Sequence, residues 1–207
     1  GIATVEDWEV GSRHEFLFSF CTAWQISILS EFPSLLCMDS THNTCYALDV
    51  GSRKAFLHTI VVRHFTAGCG VPVAFMITSS ETRVPPERWL KWLKVNARLI
   101  ESPPFMIDCS VIEVAGIKAA FDYPNIRYCH WHFFRALSDH ARKISDPTLR
   151  ETAVDDFINL VRTKTMPEFT EFWERYQQRC QHQNEWLSYL VSQWIGQPER
   201  WWLGNRT

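Results

Sequence analysis

The 207 residues carry 21 lysines and arginines against 23 aspartates and glutamates, with 46% hydrophobic and 14% aromatic residues and a formal charge of −2. This balance excludes a charged disordered chain and a domain that coats nucleic acid with an all-basic surface, and the length suits one sizeable core with a small annex. No apolar run reaches membrane-spanning length and no basic-apolar-small leader opens the sequence, so no membrane association is expected.

Glu15 to Cys21 (Glu-Phe-Leu-Phe-Ser-Phe-Cys) is rich in phenylalanine and reads as a strand, after which Thr22 is placed to cap a helix through about Ser30. Ser34 to Asp39 is a short apolar run ending in an acid, the first central strand, and Ser40 to Thr44 reads as a polar loop. Phe56 to Phe65 is β-branched, and Gly68-Cys69-Gly70 turns it into Val71 to Thr78, which predicts an antiparallel hairpin. Pro85-Pro86 opens a helix with Trp89, Leu90, Trp92, Leu93 and Ala97 at helical spacing, and Glu101-Ser102-Pro103-Pro104 ends it. Pro104 to Asp108 is a second apolar run that ends in an aspartate. A short helix follows through about Phe121, with Ile112, Val114, Ile117 and Ala120 as its stripe, and Pro124 to Cys129 is a further strand.

From there the pattern is helical: His132 to Lys143, Asp146 to about Thr163, Pro167 to about Arg179, and Asn184 to Ile195. Trp89, Trp92, Trp173, Trp186, Trp194, Trp201 and Trp202 fall in or at the ends of helical segments and are expected to pack them together. Cys21, Cys37, Cys45, Cys69, Cys109, Cys129 and Cys180 are an odd, irregularly spaced set that suits reduced thiols inside a cell. The chain starts without methionine and stops just after an aromatic cluster, as a fragment of a longer protein would.

The order of elements gives an α/β layer followed by an all-α segment. Its most telling feature is the pair of apolar runs that close on Asp39 and Asp108. If those strands are neighbours and parallel, both carboxylates emerge at one edge of the sheet and can share divalent cations, which prefer hard oxygen ligands. The plainer alternative for either acid is a strand-end cap on the loop that follows, through the backbone at Thr41 or Asn43 for Asp39.

Four blocks in order resemble the transposase domain of Mutator-like elements (MULE). Leu35-Leu36-Cys37-Met38-Asp39-Ser40-Thr41-His42-Asn43-Thr44 resembles its first acidic motif. Gly70-Val71-Pro72-Val73-Ala74-Phe75 with Ser80-Glu81-Thr82 resembles the second hairpin strand and its acidic turn. Phe105-Met106-Ile107-Asp108 with Ala115 to Phe121 and Pro124 resembles the second acidic motif and its helix. Tyr128-Cys129-His130-Trp131-His132 resembles the Cys-x-x-His element, and Glu185-Trp186-Leu187 and Glu199-Arg200-Trp201 resemble the helical insertion.

The resemblance runs from about Phe16 to Trp202. It implies an RNase H-like mixed sheet flanked by helices, followed by an all-α insertion. The corresponding segments are a strand and helix lead-in over 1–33, a partial catalytic core over 34–132 and a truncated helical insertion over 133–207. The implied activity is DNA strand cleavage and transfer with Mg²⁺ or Mn²⁺, by a DDE acidic triad of which Asp39 and Asp108 are two members. The triad's glutamate has no match here, which places it beyond Thr207 and leaves this piece expected to be inactive in strand transfer. Glu81 and His132 are accessory residues on the same basis. DNA is the implied partner, the nucleus the implied compartment, and a homo-oligomer is compatible with both. A domesticated descendant that binds DNA and regulates transcription without catalysis is the alternative.

Cys129 and His132 are spaced as one zinc-ligand pair, and Cys180 with His182 supplies the other two of a Cys2His2 set across the helical segment. Otherwise Cys129 is buried at a strand end and His132 packs or caps. Arg53, Lys54, Arg63, Arg83 and Arg88 surround the hairpin and its exit, where they can contact phosphates, although a solvated face is the ordinary use of such residues.

Overall fold

The computed structural model describes residues 2–10, 13–45, 55–99 and 101–206. The chain divides into two compact units, Gly1–Ile126 and Arg127–Thr207. No helix among the described residues is long and apolar enough to cross a membrane.

The first unit opens with the antiparallel strands β1 (Ile2–Val10) and β2 (Arg13–Cys21), then helix α1 (Ala23–Glu31). Thr22 caps α1 as its position suggests, in a full capping box: its hydroxyl accepts from the Gln25 N–H, and the Gln25 side chain accepts from the Thr22 N–H. Strands β3 (Leu36–Cys45), β4 (Ala55–His64) and β5 (Cys69–Thr78) form an antiparallel meander. Helix α2 (Val84–Asn96), strand β6 (Phe105–Ile107), helix α3 (Val111–Ala120) and strand β7 (Ile126–Tyr128) follow. The sheet is mixed, in the order β1-β2-β5-β4-β3-β6-β7, and β6 joins β3 in parallel.

One expectation is corrected, and one strand is additional to those predicted. Residues 40–44 are not a loop: β3 runs on to Cys45 because Ser40 and Thr41 pair with His58 and Leu57 of β4. Backbone pairing satisfies Ser40 and Thr41 whatever their side-chain polarity, and the register with β4 is irregular between Thr41 and Cys45. Asp39 therefore sits inside a strand, one residue past the part of β3 that β6 accompanies. Strand β1 lies before the first predicted element, and it is an edge strand whose side chains alternate between half-buried and exposed, a weak apolar signal.

Helix α2 buries Trp89, Leu90 and Leu93 completely, at about 1.5–3 kcal/mol each. It packs on α3, where Gly116 permits the close approach: a Cβ there would lie 2.8 Å from Pro86 Cβ and 3.2 Å from the Glu87 nitrogen. Alanine at 116 gains up to about 1 kcal/mol of helix propensity. Overpacking against a rigid proline ring and backbone costs about 1–3 kcal/mol, so Gly116→Ala is expected to destabilise by about 1–2 kcal/mol net, read as a lowered urea midpoint.

The second unit comprises α4 (His130–Ala141), α5 (Pro147–Val161), α6 (Met166–Arg179) and α7 (Asn184–Leu190), the last continuing as a π turn over Val191–Ile195. Asp146 caps α5 through the Thr148 and Leu149 N–H groups, and Thr165 and Glu168 form a second capping box at α6. The core is aromatic. Trp201 is fully buried, stacks on Phe133, contacts Phe157 and Phe169, and donates from Nε1 to the Trp194 carbonyl at 2.9 Å. Trp89, Trp186, Trp194, Trp201 and Trp202 are buried, while Trp92 and Trp173 are half-buried.

Candidate functional site

The β3–β6 register decides where the two aspartates go. Leu36 pairs with Phe105, Cys37 with Met106 and Met38 with Ile107 in parallel, so Asp39 and Asp108 are the next residues along neighbouring strands. Leu36, Met38, Phe105 and Ile107 are buried, which puts Cys37 and Asp39 with Met106 on the opposite face. Asp39 is exposed and Asp108 half-buried just beyond the end of β6, where its Oδ1 accepts from the Cys109 N–H at 2.5 Å. Both carboxylates thus emerge where the parallel pair ends.

On the other face, Ser40 pairs with His58 beneath α2 and α3. A cavity of about 90 Å³ opens there, and its wall includes Ser40, His58, Ser80, Glu81, Asp108 and Glu113. Asp108 therefore borders both the exposed acidic edge and this cavity. A larger cavity of about 660 Å³, lined by Ile26, Ser30, Arg98 and Pro104 among others, lies at the opposite end of β6 and holds neither aspartate.

Glu113 is the residue that sequence reasoning passed over. Its side chain is 1% exposed, and its Oε1 lies 3.7 Å from His58 Nδ1. Burial first, then the negative charges of Asp108 and Asp39, push its carboxyl up to about 8, against a smaller opposing effect of the Ser40 hydroxyl. The spacing Ser110-Val111-Ile112-Glu113 was the available signal: it is a capping-box pattern next to a candidate catalytic acid. Ser110 does cap α3, accepting from the Glu113 N–H at 3.3 Å.

The other sequence candidates scatter. Glu81 is exposed and lines the same cavity as Asp108. Arg53 and Lys54 lie outside the described residues. Arg63 is exposed opposite Gly70, at the hairpin end of β4, about 13 Å along the strand from Thr59, the partner of Asp39. Arg83 pairs with Glu87 at 3.3 Å, and Arg88 pairs with Glu6 at 2.9 Å and covers Trp8, so both are engaged within the protein.

The zinc candidates all belong to the second unit. Cys129 is the half-buried N-cap residue of α4 and His132 stands edge-on to Trp131. Cys180 is buried at the end of α6, where burial raises its thiol and the Tyr176 hydroxyl partly offsets this, and His182 is exposed. Among the described residues, no three His, Cys, Asp or Glu side chains stand close enough together to hold a metal ion. Cys21, Cys37, Cys69, Cys109, Cys129 and Cys180 are present as thiols.

Chemically, the acidic edge offers hard oxygen donors, and no lysine or arginine appears among the described residues of the adjoining cavity. No protein-family model matches the chain, and no curated protein matches it.

Proposed function

We propose that this chain is the catalytic-core part of a metal-dependent DNA-processing protein of the Mutator-like transposase type, built on an RNase H-like sheet. The observation that carries the reading is the parallel register of β3 and β6, which sets Asp39 and Asp108 side by side where that pairing ends. Support also comes from the mixed sheet with helices after β5 and β6, the arrangement an RNase H-like reading asks for. Asp39 and Asp108 supply hard carboxylate oxygens that suit Mg²⁺ or Mn²⁺. Bound there, such an ion supplies Lewis acidity toward a phosphoryl oxygen and lowers the pKa of a coordinated water. Asp39 is held within β3 and Asp108 stands one residue past β6, and the exposure of Asp39 leaves that edge open to a DNA backbone. A DNA partner and a nuclear setting belong to the same proposal.

Calorimetric titration with Mn²⁺ tests it. The chain is expected to bind the ion, and Asp39→Asn and Asp108→Asn are each expected to weaken binding at least tenfold. No heat of binding in the unsubstituted chain overturns the proposal. DNA binding with no metal-dependent nicking, unchanged by Asp39→Ala, transfers support to the non-catalytic DNA-binding regulator.

A further inference from the structure

Glu113 occupies the third position of α3 after the cap residue Ser110, where a glutamate ordinarily reaches back to the N–H of the cap residue. The equivalent side chains at α1 and α6, Gln25 and Glu168, do so. Glu113 does not: it turns inward and is 1% exposed, its Oε1 lies 3.7 Å from His58 Nδ1, the Ser40 hydroxyl only partly favours its anion, and neither carboxylate oxygen has a donor at hydrogen-bond distance. A buried polar group left in this state costs free energy that the available capping bond would have spared, so its placement calls for a ligand. The cavity it faces also carries Asp108 and Glu81, with Ser40 and Ser80 as neutral oxygens and His58 alongside. Three acids and no lysine or arginine among the described lining residues match a small multivalent cation and repel an anion. The space, about 90 Å³, holds an ion with several of its waters.

We propose that Glu113 is a ligand of a divalent cation held in this cavity together with Asp108, with Glu81 at its side. Asp108 is then the residue common to the cavity and to the exposed edge that carries Asp39. This rests on the reading of Asp39 and Asp108 as cation ligands and extends it to the other face of β3. Among the described residues no three such side chains converge on one point, so the proposed ligation requires the Glu113 and Asp108 carboxylates to close on the ion when it binds.

The test is Mn²⁺ titration of the metal-free 207-residue chain and of Glu113→Gln, with a thermal melt of each apo protein. Glu113→Gln is expected to fold, with an apo melting temperature no lower than that of the parent, and to lose at least tenfold in Mn²⁺ affinity. Unchanged affinity and stoichiometry in a folded Glu113→Gln, alongside weakened binding in Asp108→Asn, overturns the role of Glu113 and leaves the two-aspartate site standing. No Mn²⁺ binding by the parent overturns both. If Glu113→Gln fails to fold, anomalous scattering from Mn²⁺-soaked crystals of the parent decides: a peak within about 2.3 Å of a Glu113 oxygen is expected, and a peak on Asp108 beyond reach of Glu113 refutes the proposal.

Discussion

Glu113→Gln is expected to stabilise the metal-free protein, and by a margin that grows with pH. The Glu113 carboxyl ionises at about 8 in the folded chain and near 4.5 when released, because burial and the charges of Asp108 and Asp39 disfavour its anion. Between those values the folded state keeps a proton that the unfolded state gives up, so stability falls as pH rises. The stability due to the protonated form is fully present below about 4.5, and the loss is complete once pH passes about 8. At about 1.4 kcal/mol per pH unit, the whole effect approaches roughly 4–5 kcal/mol.

Glutamine keeps the shape of the protonated acid and removes the titration. Urea unfolding of both proteins at pH 5 and pH 9 isolates the contribution of Glu113, since the two chains differ at no other group. A difference that widens by several kcal/mol at the higher pH is expected. Parallel stability profiles would mean that Glu113 ionises freely where it stands. Taken with the loss of Mn²⁺ affinity expected of the same variant, the two measurements describe a residue kept at a cost to stability.

Trp201→Ala is expected to cost the second unit about 4 kcal/mol. The ring is fully buried among Phe133, Phe157 and Phe169, and its Nε1 hydrogen bond satisfies the carbonyl of Trp194. Truncation removes a fully buried indole and its Nε1 hydrogen bond, while the Trp194 carbonyl keeps the Gln197 N–H at 3.1 Å, so the cavity carries most of the cost. Equilibrium denaturation, followed by helical circular dichroism, should show the midpoint drop. A cost below about 1.5 kcal/mol would mean that the surrounding rings collapse into the space.

Much of this arrangement was legible in the residues. The capped helix after Thr22, the hairpin around Gly68, the helix opened by Pro85-Pro86 and the helical remainder each carry local signals, and each is present. What was not legible depended on partners far along the chain. Ser40 to Thr44 looks like a loop until β4 lies beside it, and β1 is an edge strand with few apolar residues to mark it. The adjacency of Asp39 and Asp108 was readable only as a condition on the strands, which the parallel register of β3 and β6 meets. Glu113 escaped because sequence spacing assigns it to a cap, and only the packed structure shows that its side chain declines that role. Ion pairing was equally hidden, since proximity in sequence to the hairpin says nothing of Glu87 and Glu6, which pair with Arg83 and Arg88.

Strand β3 is flanked by neighbours of very different loop length, and this has a kinetic consequence. Its union with β4 and the β4–β5 hairpin closes comparatively short stretches, whereas pairing Leu36 with Phe105 must enclose the whole hairpin and α2 before it yields a single contact. Loop closure of that size is slow to be rewarded. The meander should accordingly form early, and the acidic edge should be assembled only when β6 docks, so that capture of Mn²⁺ during refolding would clock the arrival of the last strand beside β3.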